Sequence, residues 1–131
     1  RRALANANAL QDIVLDEIRP GRTGNEILKA SRARMQARGI DGTVYSHPIG
    51  LHGHGAGPLV GLWDYQDGVA GRGDAKVVPS MWWSIELQAT SSVSEWGGQA
   101  VRMAQEEDAI IGADGKIRWA LKRQDKLFLI R

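Results

Sequence analysis

The sequence predicts an α+β fold in which two N-terminal helices pack on one face of a mostly antiparallel sheet. Three observations predict it: an apolar period of three to four residues over positions 3–38, alternation of apolar and polar residues from residue 81 onward, and turn signals that join the later segments as hairpins. The 131 residues amount to a single domain, 1–131, long enough to bury a core without disulfides or metal staples.

Leu4, Ala7, Leu10, Val14 and Ile18 recur at helical steps across 3–18, and Arg19-Pro20-Gly21 ends that helix. Thr23, followed three residues later by Glu26, forms a capping box in which the hydroxyl accepts from a free amide and the carboxylate reaches back. The second helix therefore runs from about 24 to 38, with Ile27, Leu28, Ser31 and Met35 along a thin apolar stripe and Gly39 at a left-handed C-cap. Thr43, Val44 and Tyr45 form a short strand leading into His47. From Gly50 to Gly73 neither period survives, which predicts a long functional loop or a set of very short strands. Met81, Trp83, Ile85, Leu87 and Ala89 then share one face of a strand whose other face carries Trp82, Ser84, Glu86 and Gln88. A turn at Glu95-Trp96-Gly97-Gly98 leads into a strand over Gln99 to Ile111, with Val101, Met103, Gln105, Glu107, Ala109 and Ile111 as one alternating set. Asp114-Gly115 signals a hairpin, Ile117 to Leu121 returns as a strand, and Lys126 to Ile130 reads as a last short one.

Composition narrows the function classes. Seventeen basic and fifteen acidic residues give a formal charge of +2, and the basic residues are scattered, so no nucleic-acid partner is expected. No apolar run reaches the roughly 18 residues that span a bilayer, so no membrane partner is expected. The absence of cysteine excludes disulfides, thiol nucleophiles and cysteine-ligated zinc, and leaves the compartment open.

All three histidines, His47, His52 and His54, fall in the glycine-rich stretch Tyr45–Pro58. His52 and His54 share a face of an extended segment, and His47 lies seven residues before His54. His47, with Glu86 on a polar strand face and Glu107 on the following strand, would make a site for manganese, iron, cobalt or zinc with a position left for water. The ordinary alternatives are a loop histidine and solvated or salt-bridged glutamates. Other motifs fail on chemistry: the His52-Gly-His54 pair lacks the glutamate a cupin would place after it, and Gly53–Gly57 lacks the lysine of a P-loop. Ser46 beside His47 points to the opposite strand face, against a nucleophile–base pair. Of five tryptophans, Trp63 and Trp82 are the candidates to wall an apolar substrate pocket.

Ser46-His47-Pro-Ile-Gly, His54 seven residues later, Trp-Ser-Ile-Glu86 on a strand and Val-Arg-Met-Ala-Gln-Glu-Glu-Asp on the next resemble the C-terminal part of the pita-bread metallopeptidases. Methionine aminopeptidase, aminopeptidase P, prolidase and the non-peptidase creatinase share that fold, and the wording around His52 and His54 is most similar to Xaa-Pro aminopeptidase or prolidase-like members. The resemblance covers nearly the whole chain and implies a curved sheet. It also implies that His47 and Glu86 ligate a metal ion and that Glu107 bridges two ions. Glu107-Asp108 fits the family's Glu-Asp pair; Glu106 is the rival, favoured by counting back from the Asp114-Gly115 turn. By the same resemblance His54 would hydrogen-bond the substrate carbonyl or tetrahedral intermediate, with His52 assisting or only packing. The family's two aspartate ligands precede the first helix of this region, so this chain is expected to be the C-terminal portion of a longer catalytic domain, an expectation that its start at Arg1-Arg2 supports. It would then hold at most one of the family's two divalent ions (manganese, cobalt or zinc). The implied activity is metal-dependent hydrolysis of an N-terminal peptide bond, at Xaa-Pro, weak or absent in this chain alone. The alternatives are a non-catalytic binding domain that keeps the fold, or a creatinase-like non-peptidase hydrolase. Implied partners are a peptide substrate and either a second copy of the chain or the N-terminal portion.

Overall fold

The computed structural model describes residues 1–130. Helices α1 (Arg2–Glu17) and α2 (Gly24–Ala37) precede the strands β1 (Asp41–Val44), β2 (His47–Gly50), β3 (Gly53–His54), β4 (Trp82–Val93), β5 (Gln99–Ile111) and β6 (Ile117–Trp119). The six strands form one sheet in which every pairing is antiparallel, in the order β3-β2-β4-β5-β6, with β1 also against β4. The α+β expectation holds, and both helices lie within a residue of their predicted limits.

Each helix forms for a local reason and stays for a tertiary one. In α2 the Thr23 hydroxyl accepts from the Glu26 amide while the Glu26 carboxylate accepts from the Thr23 amide, the capping box in full. Gly39 closes α2 with φ of 64°, a conformation that residues with a Cβ rarely adopt. Helix α1 has no side-chain cap and no acidic residue in its first turn. Its order comes from packing: Ala7, Leu10, Ile13 and Val14 are fully buried against Ile85, Leu87, Ala89, Ala109 and Ile111 of β4 and β5.

Strand β4 is the centre of the sheet. Strand β5 pairs with it along the whole of its length, and β2 and β1 share its other edge. Trp83, Ile85, Leu87 and Ala89 are completely buried under the helices, so the opposite face, carrying Ser84 and Glu86, is left for the site. Between β1 and β2 the Ser46 backbone turns aside to pair with Val60, and its hydroxyl takes over the ladder. That hydroxyl accepts from the Glu86 amide at 3.1 Å and donates to the Glu86 carbonyl at 3.0 Å. Ser46 is thus a buried structural residue that fixes the backbone of Glu86.

Three sequence expectations are corrected. His47 opens a strand instead of ending one, because Tyr45 and Ser46 form the break between β1 and β2. Residues 126–130 form no strand; their apolar side chains are consecutive rather than alternating, no described strand pairs with them, and Phe128 and Leu129 are more than three-quarters exposed. The third correction concerns Glu107 and is described with the site. After the end of β2 at Gly50, the stretch to Gly73 contains β3, isolated bridges and the start of a short 3-10 helix (Arg72–Asp74), and it is tied down: the Gln66 side-chain amide donates to the Val44 carbonyl and accepts from the Val44 N–H, imitating a further strand beside β1.

Candidate metal centre

The register of β4 and β5 assembles the site. Glu86 lies directly opposite Glu106, and Ser84 directly opposite Asp108, so these four side chains leave the same face of the sheet. His47 enters from β2, opposite Ser84. One ligand atom from each of His47, Glu86 and Glu106 lies within 4.8 Å of the others. His54 comes back over the group because Gly53-His54 pairs with Ile49-Gly50, bringing its ring centroid to 4.1 Å from that of His47. The return is possible at Gly55, where a Cβ would stand 2.8 Å from the Ile49 carbonyl carbon.

Glu107 is not in this group. It shares its parity with the buried Ala109 and Ile111, and its carboxylate accepts from the Gln124 amide on the other side of the sheet at 3.0 Å. Glu106, the rival, occupies the place expected of Glu107, with its carboxylate accepting from the Ser84 hydroxyl at 2.8 Å. The physical reason is the period of two: a shift of one residue moves a side chain to the opposite face.

The electrostatics favour a cation. The Nδ1 of His47 lies 3.0 Å from the Pro48 carbonyl, which can only accept, so the ring proton belongs on Nδ1. Nε2 then presents a lone pair toward Glu86 Oε2 at 3.5 Å. Burial raises the Glu86 carboxyl above its usual range, and the facing charge of Glu106 raises it further; a positive charge on the His47 ring would oppose both. A lone pair facing one carboxylate, and two carboxylates facing each other, form a donor set that a hard-to-borderline divalent ion satisfies. A cavity of about 710 Å³ opens over the group. Trp63 lines it; among the described residues His52 and Trp82 do not, since His52 sits at the exposed β2–β3 turn and Trp82 lies at the start of β4. Tyr45, Ser84, Arg102 and Asp108, which sequence reasoning did not single out for this site, also line the cavity. Ser84 and Asp108 could have been found from their parity with Glu86 and Glu106.

Two helices on one face of an antiparallel sheet, with an imidazole and two carboxylates converging on the other, define an α+β protein with a candidate divalent-metal site. Residues 1–112 match metallopeptidase family M24, and the chain belongs to that family. A search of curated proteins found no match. Among solved structures, the chain is similar to a dipeptidase from Pyrococcus horikoshii OT3, with a TM-score of 0.62 and 19% identity over 94% of this chain and 31% of that one. It is also similar to an X-Pro aminopeptidase from Thermotoga maritima MSB8, with a TM-score of 0.60 and 18% identity over 94% of this chain and 32% of that one. At such identities the likeness establishes the fold alone, that of part of a pita-bread architecture. The chain spans about a third of the length of these structures.

Proposed function

We propose that this chain carries part of the active site of a metal-dependent hydrolase that cuts N-terminal peptide bonds, with peptides of the Xaa-Pro type as substrates. The observation that carries the reading is the convergence of His47, Glu86 and Glu106 on the face of the sheet turned away from the core. These three residues would hold a divalent ion such as manganese, cobalt or zinc. When bound, such an ion polarises a carbonyl and lowers the pKa of a coordinated water. Family membership supports the peptidase class, and an X-Pro aminopeptidase of the same fold supports the substrate type.

The surrounding residues have roles of their own. The Pro48 carbonyl holds the His47 ring in the tautomer that leaves Nε2 free to ligate. The Ser84 hydroxyl orients the Glu106 carboxylate by donating to it. His54, stacked at a tilt on His47, would donate a hydrogen bond to oxygen charge developing on a substrate carbonyl. Trp63 would wall the substrate side of the cavity.

Metal titration tests the reading. Calorimetry with manganese or cobalt should show binding that the double change of His47 and Glu86 to Ala abolishes, and the metal-loaded full-length protein should release the N-terminal residue from an Xaa-Pro peptide. Binding unaffected by the double change would sink the assignment.

A further inference from the structure

The strand that carries His54 over the metal cluster is too slight to hold it alone. Strand β3 is two residues long, both exposed, and it pairs only with Ile49 and Gly50. The residue that follows it, Gly55, is gripped at both ends. Its N–H donates at 2.7 Å to the Pro48 carbonyl, the same oxygen that accepts from the His47 ring. Its carbonyl accepts at 2.8 Å from the guanidinium of Arg72, a residue outside the cavity lining. Among the described residues Arg72 pairs with no carboxylate, so its charge is directed at this neutral carbonyl. Arg72 is anchored in turn to α2. Gly73 lies so close to Asn25 that a Cβ there would stand 2.3 Å from Asn25 Oδ1. Asn25 Nδ2 donates to the Asp74 carboxylate at 2.8 Å, and Asn25 Oδ1 accepts from the Val69 N–H at 2.7 Å. The Arg72 carbonyl accepts from the Leu59 N–H at 3.2 Å.

We propose that Arg72 is a positioning residue: acting through Gly55, it fixes His54 over His47 and thereby sets the contact His54 makes with a substrate carbonyl. The catalytic consequence rests on the hydrolase reading above; the positioning itself does not. Without the guanidinium, Gly55 keeps only its bond to Pro48, and the short β3 is free to swing about the glycines that flank it. The metal ligands stay in place, because His47, Glu86 and Glu106 stand on β2, β4 and β5, which pair independently of Arg72. The loss therefore falls on a group that acts in the transition state, where a displacement of about 1 Å costs on the order of a hundredfold in rate. Helix α2, the 3-10 helix and the His54 loop thus form one chain of contacts that ends at the cavity.

The test uses two variants of the full-length protein. Arg72→Met keeps the length of the side chain and removes its donors, whereas Arg72→Lys keeps a charged donor. With histidine isotopically labelled, the nuclear Overhauser contact between the His47 and His54 rings should be present in the wild type, lost in Arg72→Met and partly recovered in Arg72→Lys. With the metal-loaded protein and the tripeptide Ala-Pro-Ala, Arg72→Met should lower kcat about 10- to 100-fold while KM and divalent-ion affinity stay within about threefold of the wild type. Arg72→Lys should recover part of that kcat. A ring contact absent from the wild type, surviving in Arg72→Met or not recovered in Arg72→Lys overturns the proposal. So does an ion affinity that falls in step with kcat, which marks a general loosening of the site. If the wild type cleaves no peptide, the hydrolase reading fails and the ring contact decides the positioning: lost in Arg72→Met and recovered in Arg72→Lys, it upholds the proposal; any other pattern overturns it.

Discussion

Replacing Glu106 by Gln should weaken divalent-ion binding by about tenfold or more, because the change removes a charged donor from a three-residue set. Glu107→Gln should leave the affinity near that of the wild type, since the side chain lies on the other face, where it accepts from the Gln124 amide. Calorimetry on the two variants separates them, and an equal loss in both would contradict the observed register. Glu86 makes a second prediction at this scale. Its folded-state pKa is raised, first by burial and then by Glu106, so the folded protein holds this proton more tightly than the unfolded chain does. The stability this group contributes is present in full below the ordinary glutamate pKa and is lost as pH rises through the raised one. With a chelator present, Glu86→Gln should therefore match the wild type near pH 4 and exceed it in stability at about pH 7 in urea melts. A difference that does not change with pH would count against this account.

At the scale of the element, α2 rests on its cap and α1 on its packing. Thr23→Ala removes one of two reciprocal hydrogen bonds and should lower stability by about 1 kcal/mol in denaturant titrations. Leu10→Ala, in an uncapped helix whose buried face rests on β4 and β5, should lower it by about 2–5 kcal/mol. A smaller loss at Leu10 than at Thr23 would show that the order of these two contributions is wrong. Strand β4 serves both sides of the sheet: its odd-numbered residues from Trp83 to Ala89 build the core, and Ser84 and Glu86 between them face the cavity.

At the scale of the whole molecule, a bound ion should act as a clasp. It would link β2, β4 and β5, three strands that meet at His47, Glu86 and Glu106. Metal at about a hundred times its dissociation constant should add about 2.7 kcal/mol to the unfolding free energy, seen as a higher Tm. The His47→Ala, Glu86→Ala double variant should show no such rise.

What the sequence determined by itself is local or periodic. The apolar period of 3–18, the Thr23 and Glu26 box, the Gly39 cap and the alternation along β4 and β5 each follow from a few neighbouring residues, and all are present in the structure. His47 and Glu86 were legible as candidates because a histidine among glycines and a lone carboxylate on a strand each stand out from their neighbours. The choice between Glu106 and Glu107 was decided by tertiary structure. It depends on which face of β5 meets the helices, although the apolar Ala109 and Ile111, sharing the parity of Glu107, carried that signal in the chain. The return of His54 over His47 and the place of Ser46 in the ladder were not legible at all. Each depends on contacts between segments far apart in sequence, and antiparallel pairing, whose register a single residue can invert, is what brings those segments together.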